Sequence, residues 1–142
     1  MELRTEVEIE AAAADVWRVL TDFASYPEWN PFITEIRGDL REGTALEVSL
    51  SVPEGRDLHF RPRLLRCENE RELRWRGHFL FAGLFDGEHF FRLEAVGPSR
   101  TRFIHGENFT GILVRFASAT LSKAARGFVY MNRALKRRVE EG

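Results

Sequence analysis

The last thirty or so residues constrain the fold more than any other part of the chain. Between Gly111 and Gly142, apolar residues recur at steps of three and four, which places them on one face of an α-helix; they are Leu113, Ala117, Leu121, Ala124, Phe128, Met131 and Leu135. The pattern predicts one long helix that buries this stripe. Gly127 lies in mid-helix, where glycine costs about 1 kcal/mol relative to alanine. It therefore indicates close packing or a slight bend.

Most of the chain before this helix has the periodicity of strands. From Glu2 to Glu10, apolar residues and Thr5 alternate with charged residues, as in a half-buried strand. Two short helices follow, and Pro27 ends the second. Residues 33–109 consist of alternating runs separated by turns. The prediction is an α+β fold, a curved antiparallel sheet of six to seven strands around the C-terminal helix, with residues 1–142 as a single domain.

Composition excludes several classes of protein. The net charge of -1 argues against a general nucleic-acid binder. No apolar run approaches the length of a membrane span and no signal peptide opens the chain, so we expect no integral membrane association and a cytoplasmic location. Cys67 is the only cysteine, which excludes an internal disulfide and a thiolate cluster. No short-spaced ligand pattern such as His-x-x-x-His is present, and we expect neither a metal nor a cofactor.

The turns allow strand registers to be predicted. A long strand over 57–68 and a two-residue turn at Asn69-Glu70 would pair Leu64 with Trp75 and Phe60 with Phe79. The next hairpins would align Phe79 with His89, Gly77 with Phe91 and Trp75 with Leu93, and then Leu93 with Phe103, Phe91 with His105 and His89 with Glu107. The inner face is therefore predicted to be aromatic, with a polar end. Pro62 indicates an edge or a bulge. Arg61, Arg63, Arg74, Arg76 and Arg92, with His59 and His78, are expected on the outer, water-facing side.

His89, His105 and Glu107 are the candidate chemical groups. A histidine paired with a carboxylate in an apolar cavity could act as a general acid or base. The alternative is a satisfied polar cluster that orients a ligand headgroup or closes the cavity, and the lack of a nucleophile or metal motif favours this alternative.

The aromatic residues could form a cavity wall or a plain core, and periodicity does not separate the two. Trp29 and Phe32 lie on a predicted loop, where aromatic residues form a lid or a contact surface. The loop 79–85 is unusually apolar, and we interpret it as a lid over the cavity. A dimer contact is the next alternative.

Several motifs together resemble the SRPBCC superfamily, in particular its small bacterial branch of polyketide cyclase/dehydrase-like proteins. They are Asp15-Val16-Trp17, Thr21-Asp22-Phe23, the run from Tyr26 to Phe32, Leu73 to Gly77, Phe85 to Leu93, Gly127-Phe128 and Met131 to Lys136. The resemblance covers essentially the whole chain. It implies the START-like helix-grip fold, with a hydrophobic cavity between the sheet and the C-terminal helix. Across the superfamily such cavities hold lipids, sterols, polyketides or quinones.

Three functional hypotheses follow. The leading one is binding of a small hydrophobic molecule (lipid, polyketide, quinone or similar) by Trp29, Phe32, Phe60, Trp75, Phe79, His89, Phe91, Phe103, His105, Glu107, Phe128 and Met131. The second is a polyketide cyclase/dehydratase-like enzyme whose His/Glu cluster moves protons in the same cavity, so enzymatic activity is left open. The third is a protein-interaction module that uses the aromatic loop 80–86. A homodimer is a further option.

Overall fold

The computed structural model describes residues 1–78 and 82–142. Within these residues the strands are β1 Glu2–Ile9, β2 Ile33–Arg37, β3 Glu47–Ser51, β4 Asp57–Phe60, β5 Arg63–Glu68, β6 Glu72–His78, β7 Asp86–Gly97 and β8 Arg100–Thr110. The helices are α1 Ala13–Thr21, α2 Tyr26–Trp29 and α3 Ser118–Glu141, and short 3-10 turns cover Phe23–Ser25 and Val114–Phe116. No helix in this part of the chain is both long and apolar enough to cross a membrane.

The strands form two antiparallel sheets, one in the order β1-β8-β7-β6-β5 and the other in the order β2-β3-β4. The single strand predicted over 57–68 is wrong, because the chain passes from one sheet to the other between Phe60 and Arg63. Pro62 causes the break, since it has no amide proton for a ladder bond. Its carbonyl accepts a hydrogen bond from the Leu46 amide at 2.7 Å. The described residues therefore contain eight strands rather than six or seven.

Helix α3 begins at Ser118 and not at Gly111. Gly111 has a φ of +118°, which suits glycine and not a helix. The next two amides, of Ile112 and Leu113, donate to the carbonyls of Gly83 and Leu84. The segment 111–117 is therefore tied to the loop before β7, and the predicted helix is too long at its N-terminal end.

The apolar stripe is confirmed from Leu121 onward. Leu121, Phe128, Met131 and Leu135 are each at most 1% exposed, so each contributes about 2 kcal/mol of burial free energy as an upper estimate. Close packing at Gly127 is also confirmed, since a Cβ there would lie 2.5 Å from Cε1 of the buried Phe32 ring. The face of α3 thus packs against the inner side of the five-stranded sheet and against Phe32.

The predicted registers are only partly right. The pairs Leu93–Phe103, Phe91–His105 and His89–Glu107 between β7 and β8 are confirmed. Between β6 and β7 the register is four residues from the prediction, with Trp75 opposite His89, Leu73 opposite Phe91 and Gly77 opposite Gly87. Because four is an even number, every side chain keeps its predicted face.

The carboxylate of Asp86 explains this difference of four residues. It accepts hydrogen bonds from the Gly83 amide at 3.0 Å and from Arg76 at 3.0 Å. These bonds hold Asp86 at the start of β7, opposite His78 on β6. The pair Leu64–Trp75 is confirmed. It arises differently from the prediction, because Glu68 pairs with Glu72 around a three-residue turn and a bulge between Leu64 and Arg66 restores the register.

The outer face of β6 and β7 carries a network of ion pairs. Glu72 accepts hydrogen bonds from Arg74 and Arg92, both at 3.3 Å. Burial alone would raise the pKa of the Glu72 carboxyl, but the hydrogen bonds and charges of these two arginines hold that pKa below its usual value. The guanidinium groups of Arg74 and Arg92 also cover the ring of Phe90. Arg74 is therefore less water-exposed than predicted, whereas His59 and His78 are exposed as predicted.

Candidate functional site

Aromatic rings fill the inner face where β6, β7, β8 and α3 meet. Trp75 stacks on His89 with ring centroids 5.3 Å apart. Phe91 contacts His89 edge-on at 5.0 Å and stacks on Phe103 at 5.7 Å. The ring of Phe128, on α3, stacks on His105 at 4.2 Å. The rings contact one another directly, so this part of the face is a packed aromatic layer.

Two histidines within this layer belong to a chain of hydrogen bonds. Glu107 Oε1 lies 2.8 Å from His89 Nδ1, and His89 Nε2 lies 2.7 Å from His105 Nε2. On the far side, His105 Nδ1 lies 2.9 Å from Asn132 Oδ1, and Asn132 Nδ2 lies 2.8 Å from Thr5 Oγ1. The chain of hydrogen bonds therefore runs from Glu107 on β8 to His89 on β7 and back to His105 on β8. From there it continues to Asn132 on α3 and Thr5 on β1.

Strand alternation and helix periodicity together place these five side chains. His105 and Glu107 are two residues apart on β8 and so point to the same side of the sheet. His89 and Thr5 are their neighbours in register, because His89 pairs with Glu107 and Thr5 pairs with His105. Asn132 lies one helical turn after Phe128, on the buried face of α3. The sheet thus supplies four members and the helix closes the chain.

Electrostatics favour a neutral ring at His105. Burial lowers the pKa of His105 well below its usual range, and the neighbouring charge at His89 lowers it further. Hydrogen bonds to Asn132 and to the Phe128 backbone act in the opposite direction but do not offset burial. His105 is fully buried, so its proton positions are set by protein groups and not by water.

Glu107 lies at the open end of the chain of hydrogen bonds. Its Oε2 atom occupies the space above Gly87, where the Cβ of any larger residue would clash with it and would also lie 3.1 Å from the carboxyl carbon. Gly87 pairs with Gly77 on β6, and Phe60 covers Gly77. Two glycines in one row of the inner face therefore leave room for a carboxylate and a phenyl ring.

A cleft opens at the same end of the sheet–helix interface. It has a volume of about 870 Å³ and lies between the first residue of the chain, the end of β8 and the start of α3. Its apolar lining comes from Met1, Phe109, Ile112, Val114 and Leu121, and Arg115 and Ser118 are among its polar residues. Phe109 follows Glu107 on the same face of β8, roughly 7 Å further along the strand. Glu107, at the polar end of the inner face, is therefore two residues along β8 from a residue that lines the cleft.

The structure brings together most of the predicted site residues. Phe32, Trp75, His89, Phe91, Phe103, His105, Glu107, Phe128 and Met131 lie in or beside the packed layer. Trp29 is set apart, with its ring against Tyr26 at 5.1 Å. Phe60 lies on the smaller sheet, above Gly77. Phe79 and residues 80–81 of the aromatic loop lie outside the described residues.

Sequence reasoning did not select Thr5 or Asn132 as site residues. Signals for both were present: Thr5 is the only polar residue on the apolar side of β1, and Asn132 is a polar residue four positions after Phe128 on the apolar stripe. The lining of the cleft was also missed, because the segment 111–117 was predicted to be helix. Among residues 1–78 and 82–142, no group of three or more His, Cys, Asp or Glu side chains is arranged to hold a metal ion.

Comparison with known proteins places the chain in a family. Residues 1–140 match the family described as polyketide cyclase / dehydrase and lipid transport. A comparison with curated proteins finds no significant match.

Solved structures of similar fold include an aromatase/cyclase from Streptomyces sp. R1128 (16% identity, TM-score 0.80, covering 99% of this chain and 94% of that one). A START superfamily protein from Mycobacterium smegmatis is also similar (20% identity, TM-score 0.78, covering 99% and 97%). A norcoclaurine synthase point mutant from Thalictrum flavum gives 17% identity and a TM-score of 0.73, covering 99% and 94%. These likenesses show the α+β helix-grip fold, and the family match shows membership: the chain belongs to the polyketide cyclase / dehydrase and lipid transport family.

Proposed function

We propose that this protein binds a small hydrophobic molecule, which enters through the cleft at the start of α3. The observation that carries the proposal is the position of this apolar cleft at the open end of the sheet–helix interface. Ligand pockets are typically concave and mostly apolar, with a few polar groups that fix orientation. Here Arg115 is a charged residue of the lining, and Glu107 lies two residues before the lining residue Phe109 on the same face of β8.

The packed aromatic layer limits how deep a ligand can reach. Phe91 and Phe128 each contact His105, all three are fully buried, and none of them lines the cleft. The wall nearer the surface is formed by Phe109 and Leu121. This arrangement supports a ligand that fills the cleft with its apolar part and meets the layer at Glu107.

Native mass spectrometry of gently purified protein tests this function. The protein is measured before and after exposure to fatty acids, fatty alcohols, quinones, sterols and aromatic polyketides. We expect added mass that survives desalting and is lost on denaturation. Ser118→Trp, in the lining of the cleft, should block uptake, whereas Ala119→Trp, exposed at the next position of α3, should not.

Two results would contradict the binding function. One is a clean apo mass with every compound of the panel, and the other is equal uptake by wild-type protein and Ser118→Trp. In the first case the aromatic layer would be plain core, and loop 80–86 as a contact for another protein would become the better hypothesis. That interaction, a homodimer and a cytoplasmic location stay predictions.

A second function, cyclase-like or dehydratase-like catalysis, is favoured by the chain of hydrogen bonds that ends at Glu107. A carboxylate held beside a histidine could accept a proton from an acidic carbon of a bound substrate. Once mass spectrometry gives the ligand class, turnover of a compound of that class is compared between wild-type protein and the double variant His105→Ala, Glu107→Ala. Normal turnover in the variant would exclude this assignment.

A further inference from the structure

The hydrogen-bonding partners of Thr5 fix the orientation of the Asn132 amide. Thr5 Oγ1 lies 2.9 Å from the carbonyl oxygen of His105, which can only accept a hydrogen bond, so the single hydroxyl proton of Thr5 points there. Thr5 Oγ1 can therefore only accept from Asn132, and the amide nitrogen of Asn132 faces Thr5. The amide oxygen of Asn132 must then face His105.

This orientation determines the tautomer of His105. An amide oxygen can only accept, so His105 Nδ1 carries a proton and donates it to Asn132 Oδ1. The ring of His105 is neutral, because burial keeps its pKa far below neutral pH. A neutral ring with its proton on Nδ1 has a bare Nε2, which can only accept.

The bare nitrogen of His105 in turn fixes a proton on His89. The two Nε2 atoms are 2.7 Å apart, and a hydrogen bond between them requires His89 to be the donor. The other nitrogen of His89, Nδ1, lies 2.8 Å from Glu107 Oε1. This last hydrogen bond needs a proton on either His89 Nδ1 or the Glu107 carboxyl, so the His89–Glu107 pair holds one proton more than a neutral ring and a carboxylate would supply together.

We propose that His89 carries this proton as an imidazolium, and that Glu107 Oε2 is thereby an ionised acceptor that binds the hydroxyl group of an apolar ligand and rejects carboxylates. The inference rests on the proposed binding function and names its ligand class. Among residues 1–78 and 82–142, Glu107 Oε2 has no hydrogen-bond donor, and it lies above Gly87 at the end of the inner face nearest the cleft. Thr5, Asn132 and His105 act as positioning residues.

A carboxylate ligand has a rival position at Arg115, in the lining of the cleft. There the headgroup would stay at the surface and the tail would point inward. The tail would then leave Glu107 Oε2 without a donor beside apolar atoms, which is unfavourable for a charged oxygen. A hydroxyl group placed at Glu107 satisfies that oxygen, so the alcohol is the expected ligand class.

The proton positions are tested first, on the ligand-free protein. Imidazole nitrogens of protein labelled with ¹⁵N-histidine are observed by NMR at neutral pH. We expect His105 as the neutral tautomer with its proton on Nδ1, and His89 with both nitrogens protonated. The substitution Thr5→Val should allow the Asn132 amide to turn, and the His105 tautomer signals should then change. A singly protonated His89, a proton on His105 Nε2, or an unchanged His105 spectrum in Thr5→Val would overturn the assignment.

Ligand class is then tested by competition between a primary fatty alcohol and the fatty acid of the same chain length, measured by native mass spectrometry at neutral pH. We expect wild-type protein to retain the alcohol over the acid by about tenfold or more, because the bound acid would leave the charged Glu107 Oε2 unpaired. Glu107→Gln should largely abolish this preference. Glu94→Gln, on the exposed side of β7, should keep it.

The outcomes separate this inference from the function on which it rests. Equal or tighter binding of the acid, or a preference that persists in Glu107→Gln, overturns the inference and leaves the binding function intact. No uptake of either compound overturns the inference, and no uptake of any compound of the panel overturns both. If Glu107→Gln does not fold, the alcohol-to-acid ratio of wild-type protein and its histidine spectra still decide the question.

Discussion

Gly127 allows a direct test of whether Phe32 is a fixed part of the core. In Gly127→Ala the new methyl group would lie 2.5 Å from Phe32 Cε1, about 1 Å or more inside the optimal separation of carbon atoms. Phe32 is 2% exposed, and its amide donates to Asn30 Oδ1 at 3.0 Å. The ring therefore has little room to move away.

Two effects of this substitution oppose each other. Alanine improves helix propensity by about 1 kcal/mol, whereas overpacking of a buried site costs about 1–3 kcal/mol. We expect overpacking to dominate, with a net loss of about 1 kcal/mol in the free energy of unfolding and a drop of about 4 °C in Tm. Urea unfolding followed by tryptophan fluorescence measures the first quantity, and circular dichroism measures the second.

A double-mutant cycle isolates the contact. In a Phe32→Ala background the side-chain atoms beyond Cβ are gone, so Gly127→Ala should stabilise the protein by about 0.5–1 kcal/mol. Ser122→Ala, exposed on the same helix, controls for propensity alone. If Gly127→Ala stabilises the wild-type chain as much as it stabilises Phe32→Ala, the reasoning is refuted, and Phe32 behaves as a movable lid rather than as core.

Three further changes test other parts of the structure. Asn30→Ala removes the oxygen that accepts hydrogen bonds from the amides of Phe32 and Ile33, and it should lower the free energy of unfolding in urea by about 2 kcal/mol. Asn30→Asp keeps the acceptor and should lower it by less. Equal losses in the two variants would contradict this account. Glu70→Gly should stabilise by about 0.5 kcal/mol in the same assay, because Glu70 has a φ of +62°; a loss in stability would show that this conformation carries no strain. The pKa of His105 is lowered from 6.5, so below that pH the unfolded chain binds a proton that the folded chain does not, and stability falls as pH falls. The stability advantage of wild-type protein over His105→Gln should therefore shrink by up to about 1.4 kcal/mol per pH unit below 6.5, and a constant difference between pH 7 and 5 would rule this out.

Local signals predicted much of the site. The register of β7 and β8 follows from the turn at residues 97–100 together with a bulge between Ala95 and Gly97, which shifts the pairing by one residue. That register alone placed His89 opposite Glu107 and Phe91 opposite His105. The next hairpin was mispredicted because its register depends on where Asp86 binds Arg76 and Gly83, and these contacts have no periodic signal.

The sequence by itself determined which side of each element is buried, since periods of two and 3.6 residues are properties of single strands and helices. It also determined the family, through motifs along the whole chain. Only the tertiary structure decided that α3 begins at Ser118, that Thr5 and Asn132 complete the histidine chain, and that a cleft opens beside Phe109. The physical reason is that each of these features depends on contacts between residues far apart in sequence. A single hydrogen bond or ring contact decides each feature, and the local sequence pattern would be the same without that contact.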